Sequence, residues 1–571
     1  MTSPLSSAAP SDAPASRPVL YRNGSVYSPA DPFATALLVD GARVAWIGSE
    51  EAATSIQDAS MDVVDLDGRL LAPGFVDSHV HVTETALALS TLDLGAASSL
   101  REALDAVAEA ARTGTGPLLG SGWDESVWPE RRAPTAEELD RAAGGREVYL
   151  TRVDVHSGVV STALARRLEL AGVEGWLGDG RVEHAAHDRV RAATREFGPG
   201  RRAELHRLAL RHAASQGYVA LAENNAEQIA PFEDLVRLVA LAEHGVGAEG
   251  PSPRVLPYRG ELVATAEEAR AVAARFDAAL AELIGRPVTA RESLIGLAGD
   301  LCVDGALGSR TAALRAPYAD APRTSGDRYL DAEAVAAHLA ATTEAGLQGG
   351  FHVIGDSGMD AALDGLDLAA RRVGERALHS AGHRLEHAEM VDPAGIERLA
   401  RHAVTVSLQP GFEAAWGGPG GLYEQRLGAE RAAGMNPLAS FYRAGVPVAL
   451  GSDAPVLPLS PWETVRACLE HHDPEQRISA RAAFLAHTRG AWRAARTPDP
   501  MQGQLAPGTP ASFAVWEVES LMVQQAEGTG ASWSTDPRAR TPLLPALDGT
   551  AMPVCHQTVL DGTELYRSAQ F

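Results

Sequence analysis

The sequence predicts an α/β chain: a (β/α)8 TIM-like barrel with a small β-sandwich domain built from both termini. Three observations point there. Short apolar runs alternate with amphipathic helical segments through the middle of the chain, both ends have β rather than helical texture, and Asp-Gly turn signals punctuate those ends. With 571 residues, 45% of them hydrophobic, the chain has material for a barrel of about 250 residues or more and a second domain.

Residues 1–16 are rich in Ser, Ala and Pro and lack both a basic start and an apolar run, so they read as a disordered tail rather than a signal peptide. Over 17–72, Leu37-Leu38-Val39 and Arg43-Val44-Ala45-Trp46-Ile47 flank Asp40-Gly41, and Asp67-Gly68 marks a further turn. The same texture returns over 503–571, in Ser512 to Trp516 and in Gln557 to Leu560 before Asp561-Gly562. The two β-rich ends are expected to pair. Residues 73–502 then form the barrel.

Helices are expected at Leu100 to Thr113, Arg202 to Gln216, Asp331 to Ala345, Pro393 to His402, Pro437 to Ala444 and Ile478 to Ala495, with Asp331 as a polar cap and Gly346 as a stop. Strands are expected at 72–82, 147–153, 217–223, 254–258, 294–304, 347–353, 382–388, 404–409 and 446–453. The run at 147–153 falls in a long stretch, about 115–200, that is assigned to an insertion. Eight runs are left for the barrel.

The formal net charge is −24, from 50 basic and 74 acidic residues, and so acidic a surface repels nucleic acid and anionic membranes. Neither partner is expected, and no apolar run is long enough for a membrane span. Every basic residue is Arg; the chain contains no Lys. Cys302, Cys468 and Cys555 lie too far apart in sequence to suggest a disulfide framework. The expectation is a cytoplasmic protein acting on a small-molecule substrate, with a homodimer left open.

Asp77, His79 and His81 alternate in Pro73-Gly74-Phe75-Val76-Asp77-Ser78-His79-Val80-His81, hence share one face of a strand. At the C-terminal end of a first barrel strand, the two imidazoles would open into the mouth where barrel enzymes place their sites, with Asp77 available to fix a ring tautomer. Such a pair alone also suits two buried structural histidines. Three further ligand-type residues end three further expected strands: His352 in Phe351-His352-Val353-Ile354-Gly355-Asp356, His387 in Arg384-Leu385-Glu386-His387-Ala388, and Asp453 in Gly451-Ser452-Asp453-Ala454-Pro455. Four His and one Asp on one rim make an N/O donor set suited to Zn2+ or a similar divalent ion.

These motifs, with Gly122-Trp123-Asp124 and Asp304-Gly305-Ala306-Leu307-Gly308-Ser309-Arg310, resemble the amidohydrolase superfamily over nearly the full length, in the branch similar to N-substituted formamide deformylase. The resemblance implies a metal-dependent hydrolase of non-peptide C–N bonds: a small amide, an N-formyl or N-acyl amine, or a cyclic amide. A hydrolytic deaminase and a catalytically degenerate binding paralogue are the alternatives. It also implies, four residues before Asp304, a lysine carboxylated by CO2 to bridge two metals. Here that position is Asp300, and a chain without lysine forms no carbamate. Strand alternation would aim Asp300, Cys302 and Asp304 the same way; Cys302 also suits a small buried hydrophobe.

The expectation is one catalytic ion held by His79, His81, His352 and Asp453, with His387 and Asp300 completing a second site or its remnant. Asp453 is the candidate general base and proton shuttle, and His387, where no second metal binds, the group that polarises the substrate oxygen. Trp123, Asp124, His156, Asp304, Arg310 and Gln409 are the candidates for substrate binding, with Trp123 and Trp128 suggesting an apolar lid.

Overall fold

The computed structural model describes residues 17–113, 116–244, 250–527, 530–534, 541–549 and 551–571; the tail expected over 1–16 lies outside them. The central sheet has eight strands, numbered here in chain order: β1 Phe75–Val80, β2 Tyr218–Ala226, β3 Arg254–Gly260, β4 Gly296–Leu297, β5 Gln348–Val353, β6 Arg384–His387, β7 Thr405–Leu408 and β8 Val448–Leu450. Each strand pairs in parallel with the next in sequence. A parallel bridge between Val80 and Ala454 joins the two edges, so the sheet closes into a (β/α)8 barrel. β2 is buried at every position, as a strand covered on both faces must be.

Local chemistry sets the helix ends. The Asp331 carboxylate accepts the Ala334 N–H at 2.9 Å, and Gly346 closes helix Ala332–Ala345 in the left-handed region at φ 79°. The segment expected to be one helix over Ile478 to Ala495 divides instead into Ala480–Leu485, a π-helical turn Ala486–Gly490 and Ala491–Ala494. The wider turn brings the buried His487 ring to the carbonyl of Val76, 3.0 Å away, a backbone tie that periodicity alone does not reveal.

β4 is also shorter than its apolar run suggests. The chain leaves the sheet after Leu297 and turns at Gly299, φ 90°, where a Cβ would lie 2.6 Å from Asn224 Oδ1. Asp300 therefore reaches the barrel mouth on a turn, not by strand alternation.

Both ends of the chain supply a pair of sheets. Arg43–Gly48, Ala36–Asp40, Val19–Arg22 and Asp62–Asp65 form one; Ser25–Val26, Leu70–Pro73, Phe513–Glu517, Val554–Leu560 and Thr563–Arg567 form the other. Leu37, Val44, Leu71, Phe513 and Val515 meet in one apolar cluster, with Tyr21 edge-on to Phe513 at 5.2 Å. Between β1 and β2 lies a further five-stranded sheet: Leu92–Asp93, Leu118–Trp123, Val148–Arg152, Gly158–Val160 and Arg181–Val182. Among the described residues no helix is long and apolar enough to cross a membrane.

Candidate metal centre

The ligand-type residues arrive from five places on one rim. His79 is on β1 and His81 follows it, His352 is on β5, His387 ends β6, Asp300 lies on the turn after β4, and Asp453 follows β8. In a regular strand Glu386 and His387 would face opposite sides. His387 instead has φ 70°, which breaks the alternation and lets both side chains face the barrel mouth; Asp453 is left-handed too, at φ 55°. Such conformations are costly for non-glycine residues and concentrate at functional sites. Gly451 is required beside them, because a Cβ there would sit 2.6 Å from Asp77 Oδ1 and 2.7 Å from the His79 nitrogen.

His79 Nε2 lies 3.3 Å from Asp300 Oδ1 and 3.5 Å from Asp453 Oδ1; His81 Nε2 lies 3.2 Å from Asp300 Oδ2 and 3.2 Å from Asp453 Oδ1. On the far side, His352 Nδ1 is 3.8 Å from Asp300 Oδ1, and the His352 and His387 rings are 4.4 Å apart. Bonds of about 2.0–2.1 Å in tetrahedral array put donors about 3.3 Å apart. The donors also lack other partners: His79 Nε2, Asp300 Oδ1 and Asp453 Oδ1 are buried without a hydrogen bond. Buried polar atoms left this way need an explanation, and a shared cation fits their type, number and spacing. Three overlapping donor groups result: His79, His81 and Asp300; His79, His387 and Asp453; and Asp300, His352 and His387. His352 thus groups with Asp300 and His387, not with His79 and His81 as expected.

The outward ring nitrogens are fixed. His79 Nδ1 donates to Glu386 Oε2 at 2.9 Å, His387 Nδ1 to Gln409 Oε1 at 2.8 Å, and His352 Nε2 to the Gly305 carbonyl at 3.3 Å. Each leaves its other nitrogen for the cluster, the arrangement that orients metal-binding imidazoles. Glu386 was not foreseen, although its place next to His387 in Arg384-Leu385-Glu386-His387 was a signal. The role expected of Asp77 falls to it. Asp77 instead accepts the backbone N–H groups of His79 and Ser452, tying β1 to the loop after β8.

Glu386 is itself held by the buried Arg384, whose Nε and Nη2 donate to it at 2.5 Å and 2.8 Å. Glu386→Gln is expected to lower metal affinity or activity by about 10–100-fold by loosening His79. It should also lower the melting temperature, since Arg384 loses a buried counter-charge worth about 3–5 kcal/mol. Metal titration and thermal melting check both.

Burial alone would keep His79 and His81 neutral, but Asp453, Asp300 and Glu386 pull His79 up to about 10, and Asp300 with Asp453 holds His81 well above its usual value. Burial likewise opposes the charge on Asp300, yet His81, His352 and His79 hold it well below the carboxylate range. Burial and the neighbouring His352 and His79 push His387 far down, leaving it neutral. The pocket therefore attracts positive charge and offers a free imidazole lone pair.

Two hollows meet at the cluster, both bordered by His156, His352, His387 and Asp453. One, of about 440 Å3, is polar and also touches His81, Asp300 and Cys302. The other is narrow and aromatic, walled by Phe412, Trp416 and Tyr423.

Of the expected substrate-binding residues, His156 borders this space and the other five do not. Trp123 and Trp128 pack inside the inserted layer, donating to the carbonyls of Leu150 and Ala97. The apolar wall comes from the segment after β7 instead. Asp124 is paired with the buried Arg152 at 3.1 Å, and Arg310 with Asp320 at 2.7 Å. Asp304 accepts the N–H groups of Ala313, Ile354 and Gly355, bracing loops. Gln409 sits behind His387. Cys302 borders the polar hollow, outside the three donor groups, and burial with Asp300 and Asp304 holds its thiol protonated.

A pattern describing an amidohydrolase family matches residues 62–566. Protein LONG AFTER FAR-RED 3 of Arabidopsis thaliana is 26% identical over 549 residues, covering 88% of this chain and 87% of that protein. N-substituted formamide deformylase of Arthrobacter pascens is 23% identical over 485 residues, covering 80% and 85%. The crystal structure of an uncharacterized metal-dependent hydrolase from Pyrococcus furiosus superposes with a TM-score of 0.65 at 25% identity, covering 87% of this chain and 98% of that one. With that match spanning most of its length, over a barrel whose mouth gathers His and Asp donors, the chain belongs to the amidohydrolase family and is a metal-dependent hydrolase of that kind.

Proposed function

We propose that the chain hydrolyses a non-peptide C–N bond in a small amide, an N-formyl or N-acyl amine, or a cyclic amide. The observation that carries the reading is the set of buried donors on His79, Asp300 and Asp453 that face one another at 3.3 and 3.5 Å without a formed hydrogen bond. His79, His81 and Asp453 with Asp300 would hold one divalent ion, zinc by donor type, and Asp300 with His352 and His387 a second. Such an ion lowers the pKa of a bound water from about 15.7 to about 7 and polarises a carbonyl.

The rest falls to the protein. The Asp453 carboxylate, through the oxygen not facing His79 and His81, takes the proton of the attacking water and returns it to the leaving nitrogen, a task for a carboxylate facing both hollows. Glu386, Gln409 and the Gly305 carbonyl keep the imidazoles oriented throughout. His156, which burial keeps neutral, can hydrogen-bond the substrate oxygen. A degenerate binding paralogue is disfavoured because four imidazoles and two carboxylates gathered at one buried rim at metal-ligand spacing have no evident use without a cation.

Purified protein is expected to carry one or two divalent ions per chain by elemental analysis and to lose amide turnover with them on chelation. Amine release over an amide panel, with ammonia release from amino-substituted rings absent, supports the amidase. Unchanged turnover by metal-free protein contradicts it.

A further inference from the structure

The aromatic hollow has a polar end that the proposed chemistry does not use. Rings step outward from the cluster: His387 stacks on Phe412 with centroids 6.1 Å apart, Phe412 meets Trp416 at 4.8 Å, and Trp416 meets Tyr423 at 6.3 Å. Ile354 and Val456 complete the apolar wall. Glu389 and Tyr423 also border this hollow, and both are buried, at 4% and 2% exposure. Glu389 Oε2 and the Tyr423 hydroxyl make no close hydrogen bond; the polar groups they interact with are each other and, for Tyr423, Asn436. Two buried polar groups held this loosely at the end of an apolar wall keep hydrogen-bonding capacity that a group arriving from outside can take up.

We propose that this hollow receives one arm of the substrate, a short apolar group ending in a hydrogen-bond donor, hydroxyl or N–H, that Glu389 and Tyr423 recognise. The inference deepens the hydrolase reading and rests on it, because the hollow opens on the proposed metal centre. Size limits the arm: the hollow offers about 30 Å3, and at about 10–15 Å3 per water-sized group that is two or three heavy atoms. The other arm lies in the polar hollow, whose volume of about 440 Å3 sets no comparable limit. A site whose polar groups are satisfied only by the correct ligand discriminates strongly against an analogue of the same shape without the donor.

The test uses the metal-loaded full chain and primary amides of two to five carbons, each as a pair ending in methyl or hydroxyl. NMR titration reads binding, and ammonia release is followed separately. At one chain length the hydroxyl-ended amide is expected to bind at least tenfold more tightly than its methyl-ended partner. Glu389→Met should bring that ratio below twofold with little change in the melting temperature, because the replaced carboxyl makes no close hydrogen bond in the free protein. Tyr423→Phe, a milder change, should reduce the ratio at least threefold and stands in should the first variant misfold. Equal binding of both members at every length, or a ratio that survives both variants, overturns the inference. Ammonia release without discrimination sinks this inference alone. Discrimination without turnover of any amide sinks the hydrolase reading and leaves the hollow's preference standing.

Discussion

Asp453→Asn is expected to lower kcat/KM by about 10^4 while leaving the protein folded and able to bind metal. A positioned acid–base group contributes about 10^2–10^4, and Asp453 is assigned both halves of the proton transfer, so the upper end applies. The substitution isolates that role. Asn tolerates the left-handed backbone at φ 55° at least as well as Asp does, and it keeps an oxygen facing His79 and His81. The Asp453 N–H still donates to the His79 carbonyl at 2.9 Å. Steady-state kinetics with elemental analysis of the same preparation checks the expectation. A loss below tenfold, with metal retained, would remove Asp453 as the proton carrier.

The barrel was legible because its signal is repetitive. Eight apolar runs separated by capped helices leave few other arrangements, and the strand ends then place His79, His352, His387 and Asp453 on one rim. What periodicity could not show was where the backbone departs from regular geometry. The left-handed residue at His387 puts Glu386 and His387 on the same side, and alternation would have put them on opposite sides. The turn at Gly299 delivers Asp300, where a longer strand had been expected.

Polar residues in loops were the hardest to read. Asp124, Asp304 and Arg310 occur in motifs that look functional, yet each is taken up by a partner that is distant in sequence or belongs to the surrounding loops. Asp124 meets Arg152, Asp304 meets backbone from three residues, and Arg310 meets Asp320. Whether a charged side chain is spent on structure depends on what the fold brings to it, and spacing does not carry that. The same holds for aromatic residues: Trp123 and Trp128 found a core, while Phe412 and Trp416 found the site.

Asp300→Ala is expected to reduce the metal content and lower kcat/KM by about 10^3 or more. Asp300 reaches both halves of the cluster, with Oδ1 at 3.3 Å from His79 and 3.8 Å from His352 and Oδ2 at 3.2 Å from His81. Truncation therefore removes a donor from each half and a negative charge from between three imidazoles. No lysine anywhere in the chain can replace it as a carbamate. The informative companion is Asp300→Lys, which installs the residue that the family resemblance implies at this position. Because the Gly299 turn already brings the residue 300 backbone close enough for a short carboxylate, a side chain several bonds longer has no room to end at the same point. Asp300→Lys should thus stay within a few-fold of Asp300→Ala even when bicarbonate is added to form the carbamate. Full recovery with bicarbonate would mean that this turn yields easily, and that the short carboxylate is interchangeable with the longer bridge instead of fitted to its own backbone.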